Sequence, residues 1–505
     1  ENIVKKWSRQ FDNREGGMDR SPKFMMPNNY HFLLRYAYQN NDEKLQDYVN
    51  LTLTQMAYGG VFDQIGGGFS RYSTDINWHV PHFEKMLYDN AQLLPLYADA
   101  AVATDDSAFA RTANETAHWV MDEMQSSDGA YYATLDADSD GTEGIYYTWS
   151  NEDLVSLLSA QELAVVNCIY GLQGKPNFEG RWHFNVALSP DSASEKLKLS
   201  AQETAELFAS ARQKLLDHQA HRTRPGRDEK ILTAWNGLMI YAMARAGRIL
   251  NKADYIDSAC RAVDFIHDKL WRNGRLLATI KDNKAKLNAY LDDYVFVIYG
   301  ILELLQSHWR TKDLIFAVEL AQVVLDHFED TDQGGFFFTS DDHESLVYRP
   351  KTGSDDSIPA GNGIAAQVLL RLGHLVNEPR FLDAAERTLK AFSGEMDQSP
   401  TTCGALLSAL EDMLHPSQSV LLYGDKATAH KWSAVCHTEY RPDRQCYIVP
   451  VDDHALPASL CNRKVLAEVT AYICSGTTCL PPVTDKKNFK KILQETAVNS
   501  MTAAD

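Results

Sequence analysis

Tyr294-Val295-Phe296-Val297-Ile298-Tyr299-Gly300-Ile301-Leu302 is apolar on every side of a helical turn, and Ile231-Leu232, Trp235 and Leu238-Met239-Ile240-Tyr241 repeat the pattern. The segment that follows the second of these is different in kind. Tyr255, Ile256, Cys260, Val263, Phe265 and Ile266 form one apolar stripe among Asp, Arg and Lys. A helix that is apolar all round is buried, and one with a single stripe lies outside it. An inner ring of helices wrapped by an outer ring satisfies both demands. The pattern therefore predicts an all-α fold of the (α/α)6 toroid type.

Working outward, the same alternation places helices near 29–39, 42–59, 82–103, 107–126, 150–170, 201–219, 230–249, 251–270, 287–308, 312–328, 359–375 and 379–393. These make six pairs, with a further helix near 403–414 and a long insertion near 171–200 inside the third pair. Gly-rich, β-like inserts lie between pairs, as in Gly66-Gly67-Gly68-Phe69, Gly144-Ile145-Tyr146-Tyr147 and Gly334-Gly335-Phe336-Phe337. They read as β-hairpins over one rim of the ring. After Pro416 the pattern changes to strands at 419–423, 446–450 and 469–474 around a helix near 426–438. This divides the chain into a toroid, 1–415, and a small α/β appendage, 416–505, packed on it.

Composition narrows the function. The 505 residues carry a formal charge of −19, which excludes a nucleic-acid surface because phosphate binding needs clustered Lys and Arg. No run of about 18 apolar residues exists, so no membrane-spanning helix is predicted. Eight cysteines are too dilute for a disulfide scaffold, so reduced thiols and a cytoplasmic setting are expected. The chain opens Glu1-Asn2-Ile3 without Met or a signal-like segment, as a trimmed fragment would.

Polar residues gather at the starts of the apolar helices. His82, Glu84 and Asp89 stand at one, Asp228 and Lys230 at the next, with Trp235 and Asn236 following, Asp292 and Asp293 at a third and Asn362 at a fourth. Parallel inner helices would bring these to one mouth, where helix N-termini add positive potential. Arg71, Tyr72 and Trp78 precede the first cluster, and Asp138 and Glu143 sit in an insert able to fold over the mouth. His82, Glu84, Asp89, Asp228, Asp292 and Asp293 are the candidate acids and bases. Arg71, Tyr72, Trp78, Asp138, Glu143, Lys230, Trp235, Asn236 and Asn362 are the candidate binding groups. Neighbours on a helix diverge by about 100°, so one of Asp292 and Asp293 faces the cavity and the other is tied down; Asp292 is the expected cavity-facing one.

No metal or cofactor is expected. Asp136-Ala137-Asp138-Ser139-Asp140-Gly141 resembles a calcium loop, but position 147 is Tyr where that loop needs Glu. Cys474 and Cys479 have four residues between them, which fits neither a CxxC pair nor a zinc half-site. Cys436-His437, with Cys403 as a third ligand, lies in or near the appendage rather than beside an inner helix.

Several blocks together resemble one family: Phe69-Ser70-Arg71-Tyr72-Ser73, Trp78-His79-Val80-Pro81-His82-Phe83-Glu84-Lys85-Met86-Leu87-Tyr88-Asp89-Asn90, Arg224-Pro225-Gly226-Arg227-Asp228-Glu229-Lys230, Thr233-Ala234-Trp235-Asn236-Gly237 and Cys474-Ser475-Gly476-Thr477-Thr478-Cys479-Leu480-Pro481-Pro482-Val483-Thr484. They are similar to the spermatogenesis-associated, thioredoxin-domain-containing proteins and their bacterial YyaL-like relatives. The resemblance implies a toroid similar to six-hairpin glycosidases and N-acylglucosamine 2-epimerases, preceded in the family by a thioredoxin-like domain that this sequence lacks. It leaves three functions open. One is acid/base chemistry on a sugar, as in an epimerase, isomerase or glycoside hydrolase. Another is a non-catalytic sugar- or client-binding module coupled to a thioredoxin-like domain. The third is a metal-dependent toroid of the lanthionine-cyclase kind.

Overall fold

The computed structural model describes residues 2–343 and 347–502. Eleven of its helices make the toroid: α1 Pro27–Gln39, α2 Glu43–Tyr58, α3 Leu87–Thr104, α4 Ser107–Trp119, α5 Thr233–Ile249, α6 Ala253–Phe265, α7 Leu291–Ser307, α8 Thr311–Phe328, α9 Gly361–Val376, α10 Pro379–Ala391 and α11 Gly404–Leu414. The odd-numbered helices form the inner ring, each packed on the next, and α11 closes back on α1. The even-numbered helices lie outside, each against its preceding inner helix. The (α/α)6 toroid expected from the alternation is the fold.

The inner helices are buried on nearly all sides, as their composition demands. In α7 every residue from Asp293 to Gln306 is buried except Tyr299, and α5 is buried from Asn236 to Ala244. The tightest crossing is between these two. A Cβ at Gly237 would fall 2.5 Å from the Phe296 backbone, and one at Gly300 would fall 2.7 Å from Gly237 O. Only glycine at both positions lets the helices approach this closely.

One helix pair departs from the expected ring. The third pair, 150–170 with 201–219, is not part of the ring. The first half breaks into Asn151–Leu157 and Ala160–Ile169, with Ser159 capping the second piece. Trp149, Val165, Tyr170, Trp182, Phe184 and Leu215 give this insert a hydrophobic cluster of its own. The sixth inner helix is α11, which the alternation had left over. Arg35 of α1 donates to Asp412 of α11 at 2.6 Å and seals the ring.

The hairpins before the inner helices share a device. Asp12, Asp63 and Asp330 each accept two backbone N–H groups two and three residues on, at 2.9–3.0 Å for the first two residues and 3.0–3.1 Å for Asp330. The second oxygen of each takes a lysine: Lys23 at 2.7 Å, Lys85 at 2.9 Å and Lys351 at 2.7 Å. Each lysine also donates to a glycine carbonyl four residues after the Asp, Gly16, Gly67 or Gly334. Aromatic rings flank the ammonium groups, Trp78 at 5.4 Å from Lys23 and Tyr147 at 4.7 Å from Lys85. The three copies share the pattern Asp-x-x-x-Gly-Gly, at 12–17, 63–68 and 330–335.

A second device recurs at three hairpins, two of them those of Asp63 and Asp330. The side-chain amides of Asn90, Asn236 and Asn362, in the first turns of α3, α5 and α9, pair with both backbone groups of Phe69, Tyr131 and Phe336. A buried peptide group away from any ladder needs such a partner. Together the devices fix the rim of the mouth onto the inner helices.

The C-terminal sheet runs Arg444–Ile448, Gln418–Gly424, Val469–Ser475, Thr478–Cys479, with the first pair parallel and the others antiparallel. Leu421, Tyr423 and Tyr447 on one face join the toroid core, while Val420, Leu422 and Ile473 pack under Trp432 and Phe489. The dilute cysteines favour reduced thiols, but Cys474 and Cys479 are joined by a disulfide. They are direct cross-strand partners in the closing hairpin, a register that spacing along the sequence does not reveal. The other six cysteines are free. No helix among the described residues is long and apolar enough to cross a membrane.

Candidate functional site

The segment between Phe69 and Lys85 is pinned at one end by Asn90 and at the other by Asp63, and it carries five of the expected site residues. Its short strands pair Tyr72 with His82, whose rings stack at 5.3 Å. Arg71 reaches Glu84 at 3.3 Å. His82 stands 3.8 Å from Glu84 through Nε2 and 2.8 Å from Glu143 through Nδ1. Glu143 comes from the Asp138–Ser139/Thr142–Glu143 hairpin, so that insert folds onto this cluster. Asp138 on the same hairpin is exposed and touches none of these side chains within hydrogen-bond distance.

Tyr88 and Asp89 open α3 directly beneath. Asp89 is buried and its Oδ2 has no hydrogen-bond partner among the described residues. Burial drives its pKa well above the ordinary carboxylate value; the Arg71 charge pulls it down and the Glu84 charge adds to the rise. Tyr88 is pushed up to about 12, by burial and by Asp89. Its ring meets Trp235, on α5, edge to face at 4.8 Å.

Asp292 and Asp293 divide as their helical directions require. Asp293 accepts the N–H of Ala234 and of Tyr290, each at 2.8 Å, which ties α7 to α5. Burial nevertheless pushes its pKa up to about 8. Asp292 forms no side-chain hydrogen bond among the described residues, and burial pushes it up to about 7. Tyr299, Glu303 and Gln306 of α7 line a cavity of about 100 Å³ on the ring axis. Asp292 lies two turns before Tyr299 on the same helix face, which sets it above that cavity. Leu238 of α5 and Ala91 of α3 line the cavity's upper wall. Trp235 and Tyr88 stand one turn before these residues on their helices, on the same side of the axis.

Other expected residues are placed elsewhere or otherwise employed. Asp228 is paired with Lys230 at 2.9 Å and faces Lys281 at 3.9 Å. Burial raises its pKa, but the two lysines outweigh it and hold the group below the ordinary carboxylate value. Trp78 is fully buried, with Nε1 donating to Glu15 O at 2.8 Å. Asn236 and Asn362 are the hairpin clamps described above, their amides spent on backbone. These three are held by the fold because their polar groups have fixed internal partners.

Among the described residues one group, His327, Asp341 and Asp342, brings three potential metal ligands within 4.8 Å of one another. It lies at the surface, where Arg275 also pairs with Asp342. His437 is engaged by Arg248 at 3.0 Å.

No family model matches the chain. The chain is 28% identical over 530 residues to spermatogenesis-associated protein 20 of Homo sapiens, covering 96% of this chain and 67% of that one. An uncharacterized protein of Caenorhabditis elegans is 28% identical over 522 residues, covering 94% and 70%. The resemblance carried by the motifs thus extends over nearly the whole chain. Among solved structures, a D-mannose isomerase aligns with 89% of this chain and 96% of its own at 11% identity and a TM-score of 0.44. A sugar epimerase from a ruminal bacterium aligns with 71% and 92% at 13% identity and a TM-score of 0.34.

Proposed function

We propose that the mouth of the ring binds a sugar or glycosyl compound and acts on it by general acid/base chemistry, of the epimerase, isomerase or glycoside hydrolase kind. The observation that carries this reading is Asp292. It is a half-buried acid above the axial cavity, with no hydrogen bond among the described residues and a pKa pushed to about 7. A group that titrates near the working pH can both give and take a proton, which is the requirement for acid/base catalysis. Asp89, its pKa raised by burial and partly offset by the Arg71 charge, supports a second acid role nearby. Tyr72 and Trp235 are partly exposed rings of the type that cover a sugar face, and Arg71, Glu84 and His82 supply hydrogen-bonding groups around them.

The charge pairs favour a second reading. Glu84 is matched by Arg71 and Asp228 by Lys230, and Glu143 is hydrogen-bonded to His82, as in a site built to bind rather than react. On that reading the module presents a sugar or client to a thioredoxin-like domain, as the family resemblance implies.

One experiment separates them. The protein is screened by thermal shift against a library of mono- and disaccharides, since a ligand that binds only the native state raises the melting temperature. Hits are then incubated with wild type and with Asp292→Asn, and the sugars are analysed for turnover. Turnover lost in Asp292→Asn with binding retained supports the enzyme. Binding without turnover in both supports the binder. No hit in the library removes both.

A further inference from the structure

The lower half of the axial cavity is charged. Arg35, Arg245 and Arg371 reach into it from α1, α5 and α9, Gln367 lies beside Arg371, and Tyr440 of the appendage adds its phenol. These guanidiniums are unequally matched. Asp99 gives both oxygens to Arg245 Nε, at 2.9 and 3.0 Å. Glu303 is taken by Arg248 and Gln306, with a longer contact to Arg245. Asp412 is taken by Arg35 at 2.6 Å and Ser417 at 3.1 Å.

Arg371 is the least fully matched by hydrogen bonds. Its one hydrogen bond among the described residues is a 3.4 Å contact to Asp412, the Tyr299 ring lies 5.7 Å from its guanidinium, and its Nε is buried with no partner. The remaining acid, Glu411, lies 3.0 Å from Arg35 rather than against Arg371. Tyr440 is buried, and its hydroxyl forms no hydrogen bond among the described residues. A buried guanidinium with unused N–H groups is costly unless a counter-charge completes it. Arginine's planar fork matches an oxyanion.

We propose that the axial cavity binds one small oxyanion, a phosphate or a carboxylate, held by Arg371 and Tyr440 with Arg245 and Arg35 as further positive wall. The size sets the class. A cavity of about 100 Å³ is well under the roughly 300–1,000 Å³ of drug-sized ligand pockets, so it suits a group of a few heavy atoms. The oxyanion would sit at the guanidinium end of this cavity, below the mouth, and its binding does not depend on the sugar reading.

The test uses the full chain. Thermal unfolding and titration calorimetry are run with potassium phosphate and, separately, with potassium acetate, each against potassium chloride at matched ionic strength. A saturable rise in melting temperature on the order of a few degrees over chloride is expected for at least one of the two, and which one responds identifies the oxyanion. Arg371→Met should weaken that response at least tenfold. Ser408→Leu, which fills the cavity and leaves every guanidinium in place, should abolish it, and it decides the matter if Arg371→Met does not fold. Equal responses to phosphate, acetate and chloride, or an unchanged affinity in Ser408→Leu, would overturn the proposal.

Discussion

The Asp292 carboxylate rests against the backbone of Gly361, so close that a methyl group on Gly361 would fall 2.1 Å from Oδ1. Two inner helices therefore share one contact at the rim, with the acid supplied by α7 and the space by α9. Gly361→Ala has to move the carboxylate or the start of α9. We expect it to cost about 1–3 kcal/mol, in the range of other overpacking substitutions. It should also weaken any ligand at the mouth as much as Asp292→Ala does. Chemical denaturation and thermal shift measure both effects, and an Ala variant with wild-type stability and binding would show that the contact is unimportant.

The same acid gives a pH signature. Asp292 and Asp293 have folded-state pKa values near 7 and 8, raised by burial above the ordinary 3.8. The folded chain holds protons there that the unfolded chain releases, so stability from these groups is full below about pH 4 and is lost as pH rises toward 8. Melting temperature should fall more steeply between pH 5 and 8 in wild type than in Asp292→Asn. Parallel curves for the two proteins would place the titration elsewhere.

Lys85 is 1% exposed and its ammonium is held by Asp63 and Gly67 O. Replacing it with Met strands a buried carboxylate, which typically costs about 3–5 kcal/mol. Asp63→Asn in the same chain should return much of that loss, because the orphan charge is gone. A double-mutant cycle in denaturant reads the coupling, and additive losses would mean that the pair does not interact.

Asn236 and Asn362 serve as a further check on where binding ends and architecture begins. Each amide holds both backbone groups of one hairpin residue. Alanine at either leaves buried peptide groups unpaired, and the expected loss is about 2–4 kcal/mol of stability. Binding at the mouth should be retained at temperatures where the variant is folded. A weakened ligand with unchanged stability would return these residues to the binding surface.

The ring was legible because burial writes itself into composition: α5 and α7 are apolar all round, and α6 carries one stripe. The insert was misread for the same reason. Helices at 160–169 and 201–219 are amphipathic or apolar like their neighbours, yet they face a cluster around Trp149 and Tyr170 rather than the ring. Periodicity records that a face is buried and not what buries it. At the site, the difference between Asp292 and Asp293 followed from helical geometry. Asn236 and Trp78 could not be sorted that way, since an amide or indole that binds ligand and one that binds backbone look alike in sequence. The lysine-clamped hairpins did carry a signal, the threefold Asp-x-x-x-Gly-Gly, visible only when the chain is compared with itself.

The Arg35–Asp412 pair joins residues 377 positions apart. During synthesis from the N-terminus, α1 and α3 are made early, yet the helix that covers the open side of α1 is nearly the last part of the toroid to emerge. For most of translation the nascent chain is an incomplete horseshoe with an uncovered apolar edge. The cost of bringing its ends together grows only slowly with length, but the wait is set by the ribosome. Such a chain has reason to depend on chaperones before α11 arrives and to be self-sufficient afterwards.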